Sequence, residues 1–411
     1  MIDISFELQS HEFLRTSLSD DFKGSSRTSI GFFIYILVLP FYWSNFSFLI
    51  LVGFITLSRN DHIDATSHRP SSVNLALILF IAIFGISILL SDSIIPSLQF
   101  SAAWPSSLII YFVVFTQMDY KKDWRIFCLS FSICALFSAL LCIFGFYFTN
   151  SVSSNETIAI IRSPLFVVPN DTLFLSLITP FSLSLIIGSQ NTAIRLIASL
   201  SVISSLVAII AFESRTALVV IFVCGTVYLW NGRIRTIIIY LLVLGISVIL
   251  IDAFLGFPIY QKLPTIPSSR IPLWHAAFTM FRENPLFGGG PFTFGPYYQD
   301  FLKAISYPSW IIVDKREIPW PHNLYLELLA GSGLIGLTSF LSLIVVIYYK
   351  LFYALKAQST DNLMIKALLS VITGFVVAAL VETTFLRVWV LILFFALAGF
   401  VANATSTKAL K

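Results

Sequence analysis

Long apolar runs alternate with short polar connections from residue 30 to residue 404, and most of the runs are about as long as a bilayer is thick. They predict membrane-spanning helices near 30–43, 46–57, 73–90, 98–117, 126–148, 172–187, 196–212, 216–230, 236–254, 323–349, 363–381 and 388–404. A crossing takes roughly 20 apolar residues. The first two runs are short for separate crossings, and Pro40 and Asn45 mark either a tight hairpin or a kink in one long helix. Between 254 and 322 the pattern changes. Residues 255–321 form the only long connection, and one of that length is usually functional. Within it, PLWHAAFTMFRE at 272–283 has the spacing of an amphipathic helix lying on a membrane surface. The expected organisation is an N-terminal segment 1–29, transmembrane helices over 30–254, a loop domain 255–321, transmembrane helices over 322–404 and a tail 405–411. The fold class is an all-α integral membrane protein of about twelve spans.

Composition sharpens this. Of 411 residues 57% are hydrophobic and only 11% charged, less than half the roughly 25% of a soluble domain. Most of the chain therefore faces membrane lipids or other helices, not water. The net charge of +4 is small and scattered, which excludes a nucleic-acid surface. Its placement decides the orientation. In a twelve-span fold one side collects Arg15, Lys23, Arg27, Arg59, Arg69, Lys121, Lys122, Arg125, Arg195, Arg233, Arg235, Lys350, Lys356, Lys408 and Lys411. The short connections of the other side hold only Arg162, Arg215 and Arg387. The positive-inside rule then predicts cytoplasmic termini and an outward-facing 255–321 loop. Cys128, Cys134, Cys142 and Cys224 all fall in apolar runs, so no disulfide framework is implied. The first 28 residues lack the pattern of a cleaved signal peptide, and the first span is expected to act as an uncleaved anchor.

Three segments carry candidate chemistry, all on the predicted outer face. Glu213-Ser214-Arg215-Thr216-Ala217-Leu218 is a polar turn between two apolar runs. Arg215 there is either a snorkelling cap or an arginine poised to grip an anionic headgroup, whose oxygens its planar fork matches. Arg270-Ile-Pro-Leu-Trp274 is followed by Asn284-Pro-Leu-Phe-Gly288-Gly289-Gly290. The N–H groups of Gly289 and Gly290 could approach a phosphate, or the glycines could serve only as turns. His322-Asn323 opens the run at 323, with Asn323 as an N-cap candidate. His322 is either a hydrogen-bonded structural residue or a base for a sugar hydroxyl, and it and His275 are the two histidines predicted outside. Arg162, Asn170 and Asp171 share that face, as loop and cap residues or as substrate contacts. Gly331-Ser-Gly333-Leu-Ile-Gly336 matches a dinucleotide-binding pattern, but it lies in a membrane helix with no strand before it, and close helix packing explains it better. No metal-ligand spacing appears, since Asp314 and Glu317 are interrupted by Lys315 and Arg316. No cofactor is implied.

Taken together, SRTAL at 214–218, RIPLW at 270–274 with NPLFGGG at 284–290, and HNLYLELLAGSGLIGL at 322–337 resemble the O-antigen ligase family, which includes polysaccharide polymerases and protein O-oligosaccharyltransferases. The family often has an acidic residue where Ala330 or Gly331 stands here. The resemblance implies a C-type glycosyltransferase-like membrane fold and a metal-independent, inverting glycosyltransferase. Its donor would be an undecaprenyl-diphosphate-linked glycan at the periplasmic face of the inner membrane, and its acceptor a lipid A core sugar in lipopolysaccharide biosynthesis. Residue by residue, the resemblance makes Arg215 and Arg270 the functional arginines and His322 the functional histidine. Arg162, Asn170, Asn323, Gly289 and Gly290 are candidate substrate contacts by their place on the same predicted face, not by the resemblance. The alternatives are a polymerase, a protein O-oligosaccharyltransferase and, more remotely, a secondary transporter using Asp252, Glu382 or Arg387.

Overall fold

With no water in hydrocarbon to satisfy backbone groups, an apolar run of this length folds as a helix. The computed structural model describes residues 27–38, 71–151, 170–230, 234–255, 269–316, 318–357 and 363–405, and every regular element among them is α-helical. In chain order the helices are α1 (Arg27–Val38), α2 (Ser72–Leu89), α3 (Ile94–Phe100), α4 (Trp104–Gln117), α5 (Tyr120–Ser151), α6 (Asn170–Gly188) and α7 (Thr192–Ala211). They continue with α8 (Arg215–Leu229), α9 (Ile234–Phe254), α10 (Arg270–Glu283), α11 (Phe294–Ala304), α12 (Leu324–Ala357), α13 (Leu363–Ala378) and α14 (Val388–Ala404).

Eleven of the twelve predicted runs coincide with helices, and the run at 46–57 lies outside the described residues. By length and composition five helices qualify as full crossings: α2, α5, α7, α9 and α12. The predicted span 98–117 is not one straight helix, because α3 and α4 meet at a 42° bend and count as a sixth crossing only together. Pro105 in the first turn of α4 lacks the N–H that a continuous helix would need there. Helices α1, α6, α8, α13 and α14 are apolar but shorter. The chain is a multi-pass membrane protein.

The helices fall into two compact units. One contains α1, α5–α9 and the start of α13. Its interior is aromatic, with Phe127 stacked on Phe32 at 5.4 Å and edge-on to Phe181 at 5.5 Å. Small polar side chains link its helices. Ser132 and Ser182 hydroxyls pair at 2.9 Å, and the Ser370 hydroxyl donates to the Cys224 carbonyl. All four cysteines are buried, and none forms a disulfide among the described residues. Helix α9 turns most of its apolar side chains outward, burying only Ile237 and Asp252.

The other unit contains α2–α4, α10–α12, the rest of α13 and α14. Trp104 stacks on Phe84 at 4.1 Å, and Phe385 meets Phe340 and Phe394 at 5.8 and 5.5 Å. Helix α14 is apolar on all sides and is buried from Trp389 to Ala404. Helix α10 covers the segment 272–283 and has two apolar sides. Its Leu273, Ala276, Ala277 and Met280 face is covered by Phe294, Tyr298, Phe301, Ile318 and Ala330 of this protein. Trp274 and Phe278 stay partly exposed on its other side.

Candidate functional site

Helix α12 is interrupted. At Gly333 the backbone turns to φ 66°, ψ −168°, which opens the helical ladder. The loop 285–290 fills the gap. Gly289 and Gly290 N–H groups donate to the Ala330 and Gly331 carbonyls at 2.9 and 3.0 Å. In return, Leu334 and Ile335 donate to the Pro285 and Leu286 carbonyls at 2.9 and 3.2 Å. Irregular backbone at membrane depth is tolerated only where other protein groups satisfy it in this way. The close approach requires glycine. A Cβ on Gly288, whose φ is +72°, would sit 2.4 Å from the Gly331 carbonyl carbon. The glycines predicted either to cradle phosphate or to form turns thus hold a broken helix together, and the N–H groups of Gly289 and Gly290 are occupied by its carbonyls. Gly331-Ser-Gly333 packs against backbone, where the sequence suggested a neighbouring helix.

This docking fixes the start of α12. Asn323 is its N-cap, with Oδ1 accepting from Leu326 N at 3.0 Å. The Asn323 amide also donates to the Leu380 carbonyl at 2.8 Å, and Leu324 N donates to the Ala379 carbonyl at 2.8 Å. The two bonds clamp α12 to the turn that follows α13. Just before the cap, His322 is held in the left-handed region at φ 54°, a conformation that costs a non-glycine residue about 1–2 kcal/mol. Its ring lies 5.2 Å from that of Trp320.

The turn after α13 carries Glu382, and the candidate site converges on it. Arg270, the first residue of α10, donates from Nη2 to Glu382 Oε2 at 2.8 Å. His322 Nδ1 lies 3.3 Å from Oε1, in ion-pair range but off the line of a hydrogen bond. Arg387 Nη2 lies 3.7 Å from the same oxygen, and its guanidinium sits 4.8 Å above the Trp320 ring. Burial alone favours the neutral acid at Glu382. The contact with His322 and the charges of Arg387 and Arg270 outweigh it and hold the carboxyl below its ordinary value. Arg270 uses one N–H on Glu382, and its side chain is 24% exposed. That leaves the rest of a five-donor fork to face an anion.

Arg215 belongs to the first unit and opens α8. The connection before it is a Schellman motif: Glu213 N bonds Ile210 O at 2.9 Å and Ser214 N bonds Ile209 O at 3.0 Å. Glu213 takes the left-handed position at φ 55°, where glycine is usual. That turn places Arg215, half-buried, at the head of a helix. Asn170 is the first residue of α6, and Arg162 lies outside the described residues. His275 sits on α10 with Nδ1 2.9 Å from the Tyr307 hydroxyl, clear of the Glu382 cluster's bonds. Among the described residues no group of three His, Cys, Asp or Glu stands where a metal ion could be held.

The structure therefore brings Arg270 and His322 together through a residue that motif reading assigned only to a transport alternative. Glu382 and Arg387 were visible as an acid and a base five residues apart in a chain with few charges, but nothing along the sequence says which turn they meet. Residues 200–341 match a family model described as O-antigen ligase. No curated protein matches the chain.

Proposed function

From the match of residues 200–341 to a family model described as O-antigen ligase, we propose that this protein transfers a glycan from undecaprenyl diphosphate to a sugar hydroxyl of lipid A core at the periplasmic face of the inner membrane. The family supports a glycosyltransferase acting on lipid-linked glycan in general. The observation that carries the residue assignment is the contact of Arg270 and His322 with one buried carboxylate, Glu382.

In the proposed step, the acceptor oxygen attacks the anomeric carbon opposite the diphosphate and its proton passes to His322. A new glycosidic bond forms as the bond to phosphate oxygen breaks, inverting that carbon. Negative charge grows on the departing diphosphate, and arginines preorganised at a partly dry boundary stabilise it. Arg270 supplies that charge from a fixed position, because Glu382 anchors one edge of its fork. Arg215 is the second such group on this reading. Glu382 beside the imidazole favours the imidazolium as it forms, as a carboxylate does for a histidine base. The arginines take the part that a metal plays in other transferases.

The test uses purified full-length protein in lipid, a lipid-diphosphate-linked glycan and lipid A core. His322→Ala should bind donor normally and transfer it about 10²–10⁴-fold more slowly, while His275→Ala keeps its rate. In a strain lacking the protein, a ligase defect leaves core unmodified and polymer accumulated on undecaprenyl diphosphate. Core carrying a single repeat would instead make the protein a polymerase. Orientation is tested by impermeant thiol labelling of spheroplasts, where Ser268→Cys should react and Ser406→Cys should not.

A further inference from the structure

We propose that Trp274 on α10 is a substrate-binding residue: its indole face is the platform for the pyranose ring bonded directly to the donor's diphosphate. Trp274 has this role only on the functional reading above, which puts the diphosphate on Arg270 and the acceptor hydroxyl at His322. The sugar being transferred then lies between those two side chains, and Trp274 is tied to both. It stands four residues after Arg270 on the same helix, which places it one turn along the same face, with the Cβ atoms about 5–6 Å apart. Its indole N–H donates to the Pro321 carbonyl at 3.1 Å, one residue before His322.

Trp274 is 37% exposed, although α10 is covered on its Leu273, Ala276 and Met280 side. The only polar group of an indole is its N–H. Here Pro321 takes it, so the surface left open is carbon. An apolar plane with no free donor offers nothing to a diphosphate. It suits the C–H face of a pyranose, which an aromatic ring covers through dispersion and weak C–H contacts. The bond to Pro321 also fixes the ring before anything binds, so less freedom is lost on binding. A tryptophan at a membrane boundary is by default an interface anchor, and an anchor turns its N–H toward headgroups and water. Trp274 spends that N–H on the turn that carries His322. Trp320, the other tryptophan of the turn, already carries Arg387 over its ring at 4.8 Å and has the His322 ring 5.2 Å away.

The experiment measures equilibrium binding to the purified full-length protein in lipid, with two probes that share a polyprenyl chain and diphosphate. One is undecaprenyl diphosphate. The other carries a single glucose on it, a sugar whose ring hydroxyls are all equatorial and leave flat C–H faces. Wild type should bind the glucosyl probe more tightly. Trp274→Gln keeps an N–H for Pro321 but removes the ring face. It should weaken the glucosyl probe roughly tenfold, the upper end of what an aromatic contact is worth, and leave undecaprenyl diphosphate unchanged. Trp274→Phe, which keeps a ring face and loses the N–H, should stay near wild type with both probes. Equal weakening of the two probes in Trp274→Gln would assign the residue to the diphosphate or the fold, and no weakening would make it an interface anchor. Either result overturns the inference. So does a Trp274→Phe protein that loses the glucosyl probe as fully as Trp274→Gln, since the bond to Pro321 would then be what matters. If Trp274→Gln fails to accumulate in the membrane, tryptophan emission decides. The glucosyl probe should change wild-type emission beyond the effect of undecaprenyl diphosphate, and Trp274→Phe should lack that added change. Its absence from wild type, or its persistence in Trp274→Phe, is equally fatal. Wild type that binds neither probe overturns the functional reading itself, whereas wild type that binds both alike overturns only this inference.

Discussion

Arg270 and Glu382 lie 112 residues apart in the chain and are joined by a 2.8 Å charge-assisted hydrogen bond, with the carboxylate side chain only 8% exposed. Removing Arg270 takes an aligned donor from a buried carboxylate, which costs about 1–3 kcal/mol, while Arg387 at 3.7 Å and His322 at 3.3 Å still compensate its charge. Function and stability are thus coupled at Arg270.

That coupling separates the two arginines assigned to the diphosphate. Arg215→Ala and Arg270→Ala should each lose about 10²–10³ in turnover, as for a preorganised donor. Lysine should rescue poorly at either site, since it has no fork. Arg270→Ala should also unfold earlier, while Arg270→Ala combined with Glu382→Gln recovers stability without activity. Thermal unfolding beside transfer rates checks this, and a full-rate Arg215→Ala protein would return Arg215 to a structural role.

Acid sensitivity should trace to Glu382. Its carboxyl is held below the ordinary 4.5, so the native state binds that proton less tightly than the unfolded chain. Its stabilising contribution is complete above the unfolded value and is lost as pH falls through the lowered native one. Unfolding temperatures should drop on acidification below about pH 4.5 in wild type. In Glu382→Gln that part of the slope should be missing, and identical slopes would refute the assignment.

Gly288→Ala should be among the most damaging single-methyl changes in the chain. The residue has φ +72°, and the added Cβ would meet backbone atoms of Gly331 and Ser332 at 2.4 and 2.5 Å. Left-handed strain and overpacking together cost about 2–4 kcal/mol. The measurement is unfolding of the purified variant, with Gly245→Ala, which meets nothing within 4 Å, as the tolerant comparison.

Transfer should persist in excess chelator, because the proposed charge stabilisation comes from guanidinium groups. Activity lost to chelation and restored by magnesium or manganese would contradict that.

Much of this was readable along the chain. Apolar run length located the helices, since a hydrocarbon core selects for little else. Asn323 announced its capping role by its place before an apolar run, and Arg270 stands where α10 begins. Other features were not legible. Glu382 lies in a short turn between two apolar helices, and its meaning depends on which other turns it touches, which periodicity does not encode. The glycines at 288–290 were ambiguous for the same reason: permissive backbone is visible in sequence, but its hydrogen-bond partner, 41 residues on, is not. The bend at 101–103 carried a weak signal in Pro105, masked by the apolar residues on either side.

The seam between the 285–290 loop and the opened α12 also constrains how the protein is made. Ala330 and Gly331 carbonyls and Leu334 and Ile335 amides take their partners from that loop, so α12 cannot settle into lipid in its final form while they are bare. The ribosome delivers the loop first, and it must wait beside the membrane for the helix it completes. Mutations that loosen the loop should therefore appear as defects of insertion and early degradation, with the surviving molecules catalysing at an ordinary rate.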